Sequence, residues 1–224
     1  MDELYHVYNR SINEMEVFTN NNEYRRFTDA IRFYQVEKPQ IKFSDFMEQK
    51  SHRRGGISGI NWGTLFPEKE RLVEIIAYCI MPTHFHLLLR QLRGGGIPIF
   101  INNLLNSYTR YFNTRYKRKG TLWEGRSKKV LLMSDEQLLH TTRYIHLNPV
   151  TAHLVNKPEE WLWSSYHEYL LEASESENER ICNYDSVLDI KPSAYKKFVE
   201  DGIIYQREMA KAKKAAPPTR WGMR

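Results

Sequence analysis

His84 and His86 stand one residue apart in Met81-Pro82-Thr83-His84-Phe85-His86-Leu87-Leu88-Leu89, a run that otherwise reads as a buried strand. Side chains alternate faces along a strand, so the two imidazoles share one face while Phe85, Leu87 and Leu89 share the other. Two imidazoles side by side on a rigid strand make half of a metal site and need a third ligand from elsewhere. The plainer reading of so short a pattern is a pair of polar residues on a solvated sheet face.

A second set of residues gives that pair its weight. His140, Tyr144 and Asn148 recur every four positions in a stretch opened by Ser134 with Gln137 three residues on, a capping box. They therefore lie one above another on one helix face. Asn148 also precedes Pro149, and ending the helix there is a sufficient local reason for it. Combined with His84 and His86, an amide oxygen from Asn148 would complete an N/N/O site with open positions, suited to Mg²⁺ or Mn²⁺ with phosphate oxygens. Tyr144, one turn earlier, would then sit beside the ion. Forming a free phenolate at pH 7 costs about 4 kcal/mol, since a phenol titrates near 10. A divalent charge offsets part of that cost and polarises the phosphate under attack. Tyrosine, metal and phosphate together describe a phosphotyrosine intermediate.

The charge distribution points to the same substrate class. The chain's net charge of +6 is mildly basic. Arg110, Arg115, Lys117, Arg118, Lys119, Arg126, Lys128 and Lys129 fall within twenty residues that hold the single carboxylate Glu124. Tyr111, Phe112, Tyr116 and Trp123 are interleaved with them. Cations for phosphates and rings for splayed bases are what single-stranded nucleic acid requires. A solvated helix end with ordinary core aromatics is the competing account.

These residues must be held by a folded domain, and 224 residues with 41% hydrophobic content are enough for one domain with additions. The two cysteines, Cys79 and Cys182, make neither a disulfide framework nor a thiolate cluster. The first residues lack the pattern of a signal peptide, and no apolar run is long enough to span a bilayer. The expectation is a cytoplasmic protein without membrane contact.

Periodicity supplies the elements. Leu4 to Arg10 reads as a strand, and Tyr24, Phe27, Ile31 and Tyr34 follow at helical spacing after Asn20. From Glu37 to Pro67 the order weakens into a long loop or insertion. Val73 to Ile80 and the histidine stretch form a hairpin. A helix from Pro98 to Tyr116 follows, stopped by Gly120. Lys129 to Met133 makes a fourth strand, and the helix from Ser134 should stop near Leu147 before Pro149. The pattern is an α+β sandwich: an antiparallel sheet of about four strands with helices on one face, leaving the histidine face open. Residues 171–205 read as a helical appendage and 206–224 as a basic tail.

The quoted motifs resemble those of the single-tyrosine HUH transposases, the IS200-like family, and especially its REP-associated tyrosine transposase branch. Met81 to Leu89 resembles the His-hydrophobic-His motif, and Arg143-Tyr144-Ile145-His146-Leu147-Asn148-Pro149-Val150 resembles the nucleophile helix. Tyr5 to Arg10 is similar to the first strand, Leu122-Trp123-Glu124-Gly125-Arg126 to the approach to the fourth, and Trp161 to Tyr166 to the closing segment. The resemblance covers residues 4–170 and implies a catalytic domain over 1–170 with a ferredoxin-like fold. It implies cleavage and rejoining of single-stranded DNA at hairpin-associated sites by a monomer or homodimer. Tyr144 would leave a 5′-phosphotyrosine and a free 3′-hydroxyl, with His84, His86 and Asn148 holding the divalent metal. The 37–67 insertion departs from shorter members. A non-catalytic nucleic-acid-binding protein or repressor on the same fold is the alternative. A replication initiator or relaxase is a third, and no helicase-type phosphate loop supports it.

Overall fold

A computed structural model describes residues 3–52, 70–171 and 180–215. Four strands, β1 (Leu4–Arg10), β2 (Val73–Met81), β3 (His84–Gln91) and β4 (Lys128–Leu131), form one antiparallel sheet in the order β2-β3-β1-β4. Helix α1 (Asn21–Phe33) joins β1 to β2 by way of α2 (Phe43–His52). Helix α3 (Gly96–Arg115) joins β3 to β4. This β-α-β-β-α-β order with the first strand central is the ferredoxin-like arrangement expected.

The caps read in the sequence are in place. Asn20 accepts from the backbone N–H groups of Asn22 and Glu23 at the start of α1. Ser134 accepts from the Gln137 N–H at the start of α4 (Asp135–Thr151). Helices α1 and α3 cover the apolar face of the sheet, where Phe27 meets Phe85 at 5.3 Å and Tyr108 at 5.1 Å between ring centroids. The histidine face is not left fully open, because α4 packs against β2 and β3 on that side.

Every residue of β2 is buried although it stands at the end of the sheet. Its outer edge is taken up by the closing segment. Ile80 donates to the Trp163 carbonyl at 2.8 Å and the Ser165 N–H to the Tyr78 carbonyl at 2.9 Å. Covering an edge in this way removes a template for unwanted strand pairing. Helices α3 and α4 both pack on β2, which accounts for its largely apolar sequence, and its one charged residue, Glu74, pairs with Arg90.

Three expectations need correction. Helix α4 does not stop at Leu147; it carries Pro149 inside and runs to Thr151. Within the 37–67 insertion, Phe43–His52 is helical, with Phe43 and Phe46 packed on Phe33, while 53–67 lie outside the described residues. The stretch 206–224 is not uniformly a tail. Helix α7 (Ile203–Ala215) occupies its first part and packs on α4, and 216–224 lie outside the described residues. Two short helices precede it, α5 (Tyr166–Tyr169) and α6 (Pro192–Glu200), the latter within the expected appendage.

Candidate active site

Strand pairing assembles the site. The register sets Tyr8 opposite His86 and Arg10 opposite His84, so His6, Tyr8 and Arg10 project from β1 on the same face as the histidine pair. The His84 and His86 rings lie 5.2 Å apart. His6 Nε2 is 2.9 Å from His86 Nδ1, and the two rings stack. His84 Nδ1 pairs with the Thr83 hydroxyl at 3.0 Å. Both β3 imidazoles thus use Nδ1 within the protein and present Nε2 for other work, the arrangement by which an outer partner orients a metal-binding histidine.

Helix α4 brings Tyr144 over these rings. Its ring stands edge-on to His86 at 5.6 Å and to His6 at 5.9 Å. The side chain is 37% exposed, which leaves it open to a substrate. Asn148, one turn on, donates from Nδ2 to the Tyr144 carbonyl at 2.9 Å, which leaves Oδ1 as a free acceptor.

The electrostatics favour neutral imidazoles. Burial lowers His6 to about 4. Burial and then the Arg10 charge lower His84 to about 4. His86 is held well below the ordinary value by burial, then by His6, His84 and Arg10. At neutral pH all three keep a lone pair, the form that binds a cation. The Tyr144 phenol is pushed up, by burial first and Tyr8 second, against a hydrogen bond from Asn148 and the Arg10 charge.

The donor set fits a divalent cation in part. Two neutral imidazoles and an amide oxygen are available, but no group of three His, Cys, Asp or Glu able to hold a metal occurs among the described residues. An ion here would depend on Asn148 and on ligands from outside the chain.

The basic cluster is divided by the fold. Lys128 pairs with Tyr8 in the register and so belongs to the histidine face. Lys129 takes the opposite face, with its ammonium 5.0 Å from the Tyr5 ring. Arg110, Arg115, Lys117, Lys119 and Arg126 are exposed. Arg118 is committed to structure, donating to Asn113 Oδ1 at 3.1 Å and the Thr121 carbonyl at 2.8 Å. Trp123 corrects the sequence reading. It is 8% exposed and packed among Phe18, Phe27, Phe85 and Tyr108, so it has no ring face to offer a base.

The sequence reading passed over His6, Tyr8 and Arg10. Their signal was present: they alternate through a strand already recognised, which by period alone puts them on one face. What the sequence did not show was which strand would lie beside β3.

Residues 67–148 match the family described as IS200-like transposase. Over that segment the chain is similar to the IS200-like transposases. The segment contains His84, His86, Tyr144 and Asn148, whereas His6 and Tyr8 come from outside it. The chain is also 30% identical over 104 residues to a Haemophilus influenzae protein described as a REP-associated tyrosine transposase, an alignment covering 42% of this chain. It spans 59% of that relative's length. A solved structure of a REP-associated tyrosine transposase bound to a REP hairpin superposes with a TM-score of 0.50 at 14% identity. That match covers 85% of this chain and 94% of the other, and establishes the shared fold. Among the described residues no helix is long and apolar enough to cross a membrane.

Proposed function

We infer that this chain is a transposase that nicks and rejoins single-stranded DNA at hairpin-associated sites, with Tyr144 as nucleophile and a divalent metal, Mg²⁺ or Mn²⁺, as cofactor. The observation that carries the reading is the placement of Tyr144 edge-on to His86, on a helix crossing the strand that bears both histidines. The relatives support the same activity, and the hairpin in the related structure supports the same substrate class.

Tyr144 Oη forms a bond to phosphorus while the bond from phosphorus to the 3′ oxygen breaks. The product is a 5′-phosphotyrosine and a free 3′-hydroxyl. The phenol gives up its proton and the leaving oxygen gains one. Burial disfavours the phenolate here, so the Arg10 charge and the Asn148 hydrogen bond matter for the attack. His84 and His86 would hold the metal through Nε2, with Asn148 Oδ1 as third ligand, and a bound ion would supply charge to the phosphate. Reversal with a second 3′-hydroxyl rejoins the strand.

Incubation with hairpin-bearing single-stranded DNA and Mn²⁺ should give a covalent protein–DNA adduct on a denaturing gel. Tyr144→Phe should abolish it with binding retained. An adduct that survives this substitution overturns the nucleophile. The lack of a third His, Cys, Asp or Glu ligand among the described residues favours a second reading, a DNA-binding protein without cleavage. Binding without any adduct would select it.

A further inference from the structure

A cavity of about 840 Å³ lies between α1, α3 and the segment 39–44 that leads into α2. Arg26, Lys42, Arg110 and Arg115 line it, and no Asp or Glu is among the described residues that line it. We propose that this cavity binds the phosphate and base of a nucleotide, with Arg26 as its central cation. The proposal rests on the reading that the partner is single-stranded DNA.

Arg26 is prepared for such a ligand. Its guanidinium carbon lies 4.3 Å from the Tyr111 ring centroid and 5.1 Å from that of Phe43, so aromatic faces hold the planar fork in place. Its Nε is buried and has no hydrogen-bond partner among the described residues. The nearby acids are engaged elsewhere. Asp29 is held by Lys50 at 2.6 and 2.7 Å. Glu23 accepts from the Thr19 N–H at 2.6 Å, the Thr19 hydroxyl at 2.9 Å and the Tyr116 hydroxyl. Arg115 approaches Glu23 only at 3.9 Å.

Four cations without a carboxylate among the described lining residues select an anion, and a phosphate takes the bidentate geometry of a guanidinium well. The half-buried Tyr34 and Tyr111 rings add apolar surface of the kind on which a base stacks. A nucleotide supplies both parts. The cavity straddles the boundary of the family-matched segment: Arg26 and 39–44 precede residue 67, whereas Arg110, Tyr111 and Arg115 lie within it. Because α1 and α3 cover the Phe85 face, the cavity is separated from Tyr144 by the sheet. It would act as a second anchor, which gives part of the insertion a task.

The phosphate could belong to a DNA strand or to a free mononucleotide, and the test separates them. The full chain is titrated with a hairpin carrying single-stranded flanks, and separately with dAMP, at several salt concentrations. Lys42→Ala and Arg110→Ala alter exposed residues and should leave the fold intact. Each should weaken the flanked hairpin about threefold to tenfold and lower the slope of log affinity against log salt by about 1. Arg26→Lys, which keeps the charge but not the fork, should weaken binding with the slope retained. Loss of dAMP binding alone in these variants would support the same site with a free nucleotide as its source. Variants that match the wild type with both ligands overturn the inference. Adduct formation through Tyr144 is scored in the same samples. An adduct without any variant effect sinks this inference alone. A variant effect without any adduct supports the cavity and sinks the proposed function.

Discussion

The side-chain amide of Asn148 fills the hydrogen-bonding gap that Pro149 opens in α4. Proline has no N–H, so the Ile145 carbonyl loses its helical donor. Asn148 Nδ2 reaches that carbonyl at 3.5 Å and donates to the Tyr144 carbonyl at 2.9 Å. Gln206 from α7 donates to the same Tyr144 carbonyl at 3.2 Å. The helix therefore continues through a residue that should have ended it, and the amide nitrogen, not the oxygen, makes the bridge.

This dual use of Asn148 can be separated experimentally. Asn148→Ala should cost about 1 kcal/mol of stability and abolish adduct formation. Adding Pro149→Ala restores a backbone N–H, so the double variant should recover the stability but not the adduct. Asn148→Asp keeps an oxygen ligand and should retain metal-dependent cleavage. Urea unfolding and adduct yield are the two measurements. Recovery of the adduct in the Ala/Ala variant would show that Asn148 acts on the helix alone.

His6 should act through His86. The 2.9 Å contact between Nε2 of His6 and Nδ1 of His86 fixes which His86 nitrogen remains available. Outer partners of this kind typically contribute tenfold to a hundredfold in metal affinity. His6→Phe should raise the Mn²⁺ concentration for half-maximal adduct by about that factor, with the yield at saturating Mn²⁺ less affected. His6→Gln, which keeps an acceptor, should recover part of the shift. An unchanged Mn²⁺ midpoint in His6→Phe would remove His6 from the site.

Acid should destabilise the fold through His146. This residue is wholly buried, with Nδ1 2.6 Å from the Tyr195 hydroxyl and Nε2 2.8 Å from the Ser165 hydroxyl. Burial lowers it to about 3. Its folded value lies below the unfolded 6.5, so the unfolded chain binds the extra proton between those limits. Stability is therefore unaffected above pH 6.5 and falls as pH drops toward 3. At pH 5 this histidine alone accounts for about 2 kcal/mol. Urea unfolding of wild type and His146→Asn at pH 7 and pH 5 checks it: the variant is weaker at pH 7 but loses less between the two. Equal pH losses would exclude His146 as a source.

The legible parts of this protein were those set by local rules. Alternation in β1 and β3 and helical spacing after Asn20 and Ser134 carried most of the ferredoxin-like order, whereas α3 ends at Arg115 with Lys117, not Gly120, as the first left-handed residue after it. Tyr144 and Asn148 were legible because four-residue spacing puts them on one face. His6 was hidden because strand adjacency is a long-range property, even though its alternation was plain. Helix α7 was hidden because its lysines read as a solvated tail. Its stability comes from packing on α4 and from contacts such as Gln206 to Thr151, at 3.1 Å, that composition does not encode.

Trp123 tests the same distinction directly. Amid Arg118, Lys119 and Arg126 it looks like a stacking platform, yet α1 and α3 close over it and the loop buries it. A large ring removed from such a core costs about 3–5 kcal/mol. Trp123→Ala should therefore lower the urea midpoint sharply. Trp123→Phe keeps most of the apolar volume and should cost much less, with hairpin affinity near wild type once folded protein is compared. A Phe variant that stays fully folded but loses most of its DNA affinity would return Trp123 to the binding surface.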